Sequence, residues 1–129
     1  MESPMKHLLR RSKSTKEIGD KFEGIAQKHL SSSGIKILQK NYLCKFGEID
    51  IIGIDGEVVI FCEVRAKSNI EFGRPEETIN QKKQLRIRKA ASKFLQATPQ
   101  YSNSLCRFDV ISIIFNDQNH QINWIRNAF

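Results

Sequence analysis

The sequence of 129 residues is poor in the features that mark disulfide-linked, membrane or secreted proteins. It has three cysteines, an odd number without a Cys-x-x-Cys spacing, which favours neither a disulfide framework nor a zinc site. No apolar run approaches the roughly 20 residues that a bilayer span requires. The first 16 residues contain Arg10 and Arg11 but no apolar segment of a secretory signal. We therefore expect a cytoplasmic protein with reduced thiols and no membrane association.

Prolines and sequence repeats are scarce as well, and the remaining composition favours one folded domain. The chain has three prolines, 40% apolar residues and 27% charged residues, which suffices for a core inside a water-soluble surface. Residues 1–15 are polar and basic and show no sustained period. We predict a flexible basic tail over 1–15 and a single domain over 16–129.

Positive charge is in excess, and its distribution along the chain is uneven. The net charge is +7, yet residues 46–81 hold eight acidic and three basic side chains. The flanking segments, 1–45 and 82–129, hold ten and eight basic residues against four and two acidic ones. A carboxylate-rich centre between basic flanks suits a site that holds divalent cations on a surface that attracts a polyanion. A solvated surface of mixed charge is the alternative.

Hydrophobic periodicity predicts an α/β protein in the order α-β-β-β-α-β-β. The predicted elements are a helix over 16–32, strands over 35–42, 46–54 and 57–67, a loop over 68–77, a helix over 81–97, and strands over 106–115 and 121–126. Asn80 is the expected N-cap of the second helix. The residues expected to face inward from this helix are Leu85, Ile87, Ala91, Phe94 and Leu95.

Two of the predicted strands are separated by Asp55 and Gly56, which indicate a hairpin with a two-residue turn. In that hairpin the opposed pairs are Ile54 with Glu57, Asp50 with Phe61, and Glu48 with Glu63. Alternation then puts Ile49, Ile51, Val58, Ile60, Cys62 and Val64 on an apolar face. The opposite face carries Glu48, Asp50, Glu63, Arg65 and Lys67.

The charged face of this hairpin is a candidate cation site. Diagonal neighbours on paired strands lie about 7–8 Å apart, so Asp50 and Glu63 could both bind one ion. A divalent cation with oxygen ligands would remove the repulsion between the two carboxylates. Two alternatives stay open: the charges are satisfied by cross-strand pairing, or a turn of different length puts the two acids on opposite faces.

The second helix carries a dense set of cations, with no acidic residue between Thr78 and Ala97. Such cations are expected to bind phosphates without reading bases, or to form a solvated helix surface. They are Lys82, Lys83, Arg86, Arg88, Lys89 and Lys93.

Several motifs together resemble the YraN family of bacterial proteins over most of the chain. They are NYLC at 41–44, FGEIDII at 46–52, EVR at 63–65, FGRPEETINQKKQ at 72–84, CRFDV at 106–110 and WIRNAF at 124–129. That family is similar to the restriction-endonuclease-like, or PD-(D/E)XK, superfamily of metal-dependent nucleases, and close in pattern to archaeal Holliday junction resolvases. The resemblance implies a restriction-endonuclease-like core, with a mixed central sheet of about five strands flanked by helices.

The resemblance also implies site residues. The superfamily's helix acid matches Glu23, its strand aspartate matches Asp50, and the Glu of its Glu-x-Lys step matches Glu63. These residues would hold Mg²⁺ or Mn²⁺, and Glu48, one strand step from Asp50, is an additional candidate ligand.

One position departs from the superfamily pattern, because Arg65 stands where the lysine is expected. An arginine does not serve as a general base, although it can hold a phosphate. Lys67, two residues further along the same strand face, is a candidate replacement.

We therefore expect an endonuclease that depends on Mg²⁺ or Mn²⁺ and hydrolyses phosphodiester bonds of nucleic acid, with DNA as the first expected substrate. One version of this expectation is an enzyme specific for a DNA structure such as a junction. Asp50 and Glu63 would hold the metal, and Arg65 or Lys67 would stabilise the anionic transition state. The alternatives are a nucleic-acid-binding module without turnover, which Arg65 favours, and a protein-interaction domain. The oligomeric state stays open, a homodimer included.

Overall fold

The computed structural model describes residues 12–68 and 79–129. In these ranges the elements are α1 (Ser12–Ser32), β1 (Lys36–Cys44), β2 (Gly47–Asp55), β3 (Val58–Ser68), α2 (Gln81–Ala97), β4 (Cys106–Phe115) and β5 (His120–Ile125). A short 3-10 turn spans Pro99–Tyr101. The predicted element order is confirmed. Residues 1–11 of the expected tail and 69–77 of the expected loop lie outside the described residues.

The strands form one mixed sheet in the order β1-β2-β3-β4-β5. Strands β3 and β4 are parallel, and the other neighbouring pairs are antiparallel. A parallel pair needs a long crossover, and α2 lies in the connection between β3 and β4. This five-stranded mixed sheet with helices on its two faces is the architecture that the sequence predicts. Within the described parts of the chain, no helix has the length and apolar character needed to cross a membrane.

Each helix covers one face of the sheet with its own hydrophobic core. The α1-side core includes Phe22, Ala26 and Leu30 of α1, packed on β-strand residues such as Ile51 and Cys62. The α2-side core includes Ile52, Val59, Phe61, Ile87, Ala90, Ala91 and Phe94. The central strands are therefore buried on both faces, which explains their nearly continuous runs of apolar residues.

Helix α2 begins and ends as its sequence predicts. The Asn80 side chain accepts a hydrogen bond of 2.8 Å from the backbone N–H of Lys83, and the helix ends at Ala97, before Pro99. One inward residue was assigned wrongly, because Leu85 is 53% exposed. Ala90 is buried in its place, since it lies on the helix stripe with Ile87 and Phe94.

The β2–β3 hairpin has a different register from the one predicted. Asp55 pairs with Val58, so the turn residues are Gly56 and Glu57. Gly56 has a φ of 60°, whereas neither Asp55 nor Glu57 has a positive φ. A positive φ at the first turn residue alone is the requirement of a type II′ turn, whereas the predicted Asp-Gly turn needs positive φ at both residues.

By itself this change moves the pairing by two residues, which leaves the side chains of a regular ladder on their predicted faces. Ile52 pairs with Phe61 and Ile51 with Cys62, and the recorded ladder ends there. The predicted pair of Asp50 with Phe61 is therefore wrong, and the predicted pair of Glu48 with Glu63 lies beyond the end of this ladder. At this point the Asp50 side chain accepts a hydrogen bond from the backbone N–H of Val64, next to Glu63.

The predicted alternation fails at Ile49. This residue packs in the α2-side core with Ile52, not on the α1 side with Ile51. The recorded pairing of β2 with β3 ends at Ile51, and Asn41, the β1 residue beside Asp50, has a φ of 51°. Strand alternation depends on a regular ladder, and here the ladder is interrupted around Asp50.

Candidate metal and nucleic-acid site

A pocket of about 370 Å³ lies where the β2–β3 ladder stops. The pocket lies beyond the last recorded pair of β2 and β3. Residues of both helices line it, although the helices cover opposite faces of the sheet. Its lining residues are Glu23 of α1, Phe46, Gly47, Glu48 and Asp50 around the start of β2, Glu63 and Val64 of β3, and Lys83, Arg86 and Ile87 of α2. All four acids expected at a metal site therefore contribute to one cavity.

The half-buried Asp50 and the buried Glu63 are neighbouring acids of this pocket. The Asp50 Oδ2 accepts a hydrogen bond of 2.8 Å from the backbone N–H of Val64, an N–H that lies beyond the recorded β2–β3 ladder. The Glu63 side chain is only 4% exposed and its Oε2 lies 3.0 Å from the Lys83 Nζ. The strand backbone and one lysine thus hold the two carboxyl groups side by side.

Burial makes it costly for both carboxyl groups to be ionised together. Burial and then the charge of Glu63 raise the pKa of Asp50 from 3.8 to about 7, against the Val64 hydrogen bond that lowers it. Burial also raises the pKa of Glu63, opposed chiefly by Lys83. A pair of this kind favours a bound proton or cation near neutral pH.

The two further acids lie at the border of the pocket. The half-buried Glu23 accepts a hydrogen bond of 2.7 Å at its Oε1 from the Asn41 side chain, which fixes its orientation towards β1. Glu48 is exposed. Glu23 therefore has a defined position at the pocket, whereas Glu48 lies on its solvent side.

The structure places neither Arg65 nor Lys67 among the residues that line the pocket. Arg65 acts on the site through its charge, which lowers the pKa of Glu63. Lys67 is half-buried and lies four residues beyond Glu63 on β3. The cations that reach the pocket are instead Lys83 and Arg86, both from α2.

Apart from Lys83, the cations of α2 fall into two groups. Lys82, Arg86, Lys89 and Lys93 are exposed and recur at spacings of four and three residues, which puts them on one helix stripe. This basic stripe is about 16 Å long at 1.5 Å per residue and passes the pocket at Arg86. Arg88 lies apart, since its guanidinium stacks 4.7 Å from the centroid of the Phe108 ring.

The donor chemistry of the pocket fits Mg²⁺ better than a metal with a closed protein cage. Among the described residues, no three His, Cys, Asp or Glu side chains converge as a ready-made metal cluster. Asp50 and Glu63 offer two facing carboxyl groups beside an open cavity. Mg²⁺ is usually held in this way, by one or two carboxylates completed by waters and substrate phosphate. The residues present therefore fit this ion, and Glu23 is a further acid with a defined position at the same pocket.

Three features of the site are not predicted from the sequence. Asn41, which orients Glu23, stands out only as a residue with positive φ. Phe46 lines the pocket, whereas the strand pattern predicts only a strand residue there. Lys83 resembles the surface cations of α2, although its position four residues before Ile87 puts it on the buried stripe of this helix.

Comparison with known proteins connects this chain to one family. The model of a family described as "Uncharacterised protein family UPF0102" matches residues 22–113. A UPF0102 protein of Stutzerimonas stutzeri is 41% identical over 111 residues, which cover 86% of this chain and 92% of that protein. A UPF0102 protein of Desulforamulus reducens is 40% identical over 116 residues, 88% of this chain and 95% of that one. One from Francisella tularensis is 44% identical over 116 residues, 89% and 96% of the two chains.

Proposed function

The chain belongs to the UPF0102 family, the membership expected from its YraN-like motifs, and we propose that it is a divalent-metal-dependent endonuclease acting on DNA. The observation that carries this proposal is the pair of neighbouring carboxyl groups of the half-buried Asp50 and the buried Glu63 at a cavity that cations border. Such a pair would hold Mg²⁺ or Mn²⁺ beside a phosphodiester.

The chain's own residues have distinct roles in this proposal. Asp50 and Glu63 hold the ion, and Glu23, kept in place by Asn41, completes the acidic border. Arg86 lies at the pocket and on the basic stripe, so it can contact a phosphate close to the one that is cleaved. When bound, the divalent ion would activate a water and neutralise charge on the phosphoryl oxygens.

The basic stripe supports nucleic acid as the substrate class. Lys82, Arg86, Lys89 and Lys93 present four cations along an exposed helix that runs past the acidic pocket. Lysine and arginine contacts to phosphates give affinity without sequence information, so we expect recognition of DNA shape over sequence. A branched substrate such as a four-way junction is therefore the first to be tested.

Cleavage of labelled DNA by the full chain tests the enzyme directly. Linear duplex, single-stranded and four-way-junction DNA are incubated with Mg²⁺ or Mn²⁺, with and without a chelator. We expect metal-dependent cleavage that Asp50→Asn lowers by at least about a hundredfold, whereas Asp20→Asn on the exposed surface of α1 leaves it unchanged. If no substrate is cleaved, or if Asp50→Asn cleaves as the wild type does, the proposal is wrong.

Salt-dependent DNA binding tests the basic stripe independently of turnover. We expect Lys82→Gln combined with Lys93→Gln to lower affinity and to reduce the log–log salt slope by about 2, since each phosphate contact contributes about 0.9. Lys28→Gln with Lys36→Gln, two exposed lysines outside α2, is the matched control. Equal slopes for the two double variants would contradict phosphate binding by the stripe.

A nucleic-acid-binding module without turnover is the second candidate. It is favoured by Arg65, which stands at the expected lysine position and does not line the pocket. This candidate predicts DNA binding that persists in Asp50→Asn and no cleavage by any variant. Absence of binding to DNA and RNA at low salt would favour a protein-interaction domain over both.

A further inference from the structure

Lys83 differs from every other cation of α2 in where its charge lies. Its Nζ is 3.0 Å from the Glu63 Oε2, and its side chain is 33% exposed, whereas the cations of the basic stripe are exposed. It lines the pocket together with both central acids. The ammonium of Lys83 therefore occupies part of the space in which a divalent ion would contact Glu63.

The local structure of α2 directs Lys83 to this position. Its backbone N–H donates to the Asn80 side chain, so Lys83 lies in the first turn of the helix. It precedes the buried Ile87 by four residues and therefore points towards the sheet. A cation in the first turn is disfavoured by the helix dipole, and no acidic residue in that turn compensates it. Glu63 supplies the compensation instead.

We propose that the Lys83 ammonium is an exchangeable counter-ion of Glu63. When a divalent metal binds the Glu63 carboxylate, the ammonium leaves it and contacts the phosphate of the bound nucleic acid. The proposal rests on the function proposed above. It assigns to Lys83 the positive charge at the reacting phosphate that the sequence attributes to Arg65 or Lys67.

The exchange follows from the charges that face Glu63. The ammonium and a divalent ion are both cations at one carboxylate, so each weakens the binding of the other. Lys83 has a flexible stem and a cavity of about 370 Å³ beside it, so its ammonium can turn without movement of the helix. A phosphate that enters this cavity offers it a second anion.

Binding of Mn²⁺ in the absence of DNA tests the exchange without any measure of activity. The full-length wild type, Lys83→Met and Lys82→Met are titrated with Mn²⁺ at pH 8, and free Mn²⁺ is measured by electron paramagnetic resonance. We expect Lys83→Met to lower the dissociation constant about tenfold, because a competing charge is lost. Lys82→Met, whose side chain lies on the exposed stripe, should stay within about twofold of the wild type.

Cleavage at saturating Mn²⁺ tests the second half of the proposal. We expect Lys83→Met to cleave at least about tenfold more slowly than the wild type despite its tighter metal binding. Lys83→Gln is made in parallel, and urea unfolding confirms that both variants are folded. Tighter metal binding with slower cleavage is the combination that a merely structural lysine would not produce.

The outcomes separate this proposal from the function on which it rests. Tighter Mn²⁺ binding by Lys83→Met with no cleavage by any protein would contradict the endonuclease function but support the exchange at Glu63. Equal dissociation constants for the wild type and Lys83→Met, or no Mn²⁺ binding by any of the proteins, would overturn the exchange. Unchanged cleavage by Lys83→Met would overturn its phosphate contact.

Discussion

Asp50 is the residue at which function and stability conflict most directly. It is half-buried beside Glu63 at the pocket, and the fold disfavours its charge. The same burial would make the pair a strong acceptor for a cation, since a divalent ion removes the repulsion. Conflicts of this kind are typical of functional sites, where groups are held in states that they would not adopt in water.

This conflict predicts an unusual pH dependence of stability. The pKa of Asp50 is raised from 3.8 to about 7 in the folded protein. The folded state therefore binds the proton of the Asp50 carboxyl group more tightly than the unfolded state does. The stability that this protonated group contributes is complete below pH 3.8 and is lost as the pH rises through 7. Asp50→Asn keeps an oxygen for the Val64 N–H and carries no charge. We expect it to exceed the wild type in unfolding free energy by about 1–3 kcal/mol at pH 8, and to match it at pH 4.

Urea unfolding in the presence of a chelator measures this difference. Asp20→Asn, on the exposed surface of α1, serves as the control and should follow the wild type at every pH. Parallel stability curves for the wild type and Asp50→Asn between pH 5 and 8 would show that Asp50 is not held neutral by the fold.

Asp109 is a second buried acid, and its surroundings are the opposite of those of Asp50. It is fully buried and accepts hydrogen bonds of 2.9 Å from two Arg107 nitrogens, the Trp124 Nε1 and the Asn127 backbone N–H. These four donors satisfy its charge completely. Asp109 thus ties β5 and the C-terminal residues to β4, and it is a structural acid.

Removal of Asp109 is expected to destabilise the protein strongly. Asp109→Ala leaves the half-buried donors of Arg107 and Trp124 without this acceptor and removes a fully buried carboxylate, and we expect a loss of about 3–5 kcal/mol of unfolding free energy. Chemical denaturation measures the loss. Asp117→Ala, an exposed acid between β4 and β5, should change stability by less than about 0.5 kcal/mol. A loss below 1 kcal/mol for Asp109→Ala would show that this cluster does not anchor the C-terminal strand.

At the scale of elements, the packing of β1 on β2 depends on one glycine. A Cβ at Gly53 would lie 2.8 Å from the Ile35 Cγ2 and 3.2 Å from the Lys36 carbonyl oxygen. The backbone oxygen can give way only if the strand moves. The two strands therefore pack this closely because position 53 has no side chain.

Two glycine substitutions with opposite expected effects test this packing. We expect Gly53→Ala to lower the unfolding free energy by about 1–3 kcal/mol through overpacking. Gly24→Ala, at an exposed position of α1 where a Cβ would meet nothing within 4 Å, should raise it by about 0.5–1 kcal/mol. Thermal and urea unfolding of the two variants give the comparison. A neutral Gly53→Ala would mean that β1 can move away from β2 at little cost.

At the scale of the whole molecule, the site exists because three parts of the fold meet where one ladder stops. Strands β2 and β3 bring the half-buried Asp50 and the buried Glu63, α1 brings Glu23, and α2 brings Lys83 and Arg86. The helices lie on opposite faces of the sheet, and at this end of the β2–β3 pairing side chains from both line one pocket. Occupancy of the pocket should therefore stabilise the entire domain.

A thermal shift on metal addition tests this coupling. A ligand at a hundred times its dissociation constant stabilises the folded state by about 2.7 kcal/mol, so Mn²⁺ should raise the Tm of the wild type by several degrees at pH 8. A chelator should reverse the shift, and Asp50→Asn should remove it. Glu57→Gln, an exposed acid of the β2–β3 turn, is expected to retain it. A wild-type Tm that does not respond to Mn²⁺ would contradict a metal site in this pocket.

Local patterns in the sequence predict the order of the elements and the face on which most strand residues lie. Helical and strand periods report local burial, so α1, α2 and β4 could be predicted, the last two with their bounds. Asp50 and Glu63 could be placed on one face because strand alternation survives a register error of two residues.

Which charges meet depends on the packing of the folded chain. The β2–β3 ladder ends beside Asp50, the pocket lies at this end, and the packing of α2 brings Lys83 to Glu63. Each of these depends on contacts between residues that are distant in the chain, and local patterns carry no information on such contacts. A lysine on a basic helix looks the same in the sequence whether it faces the solvent or a buried carboxylate.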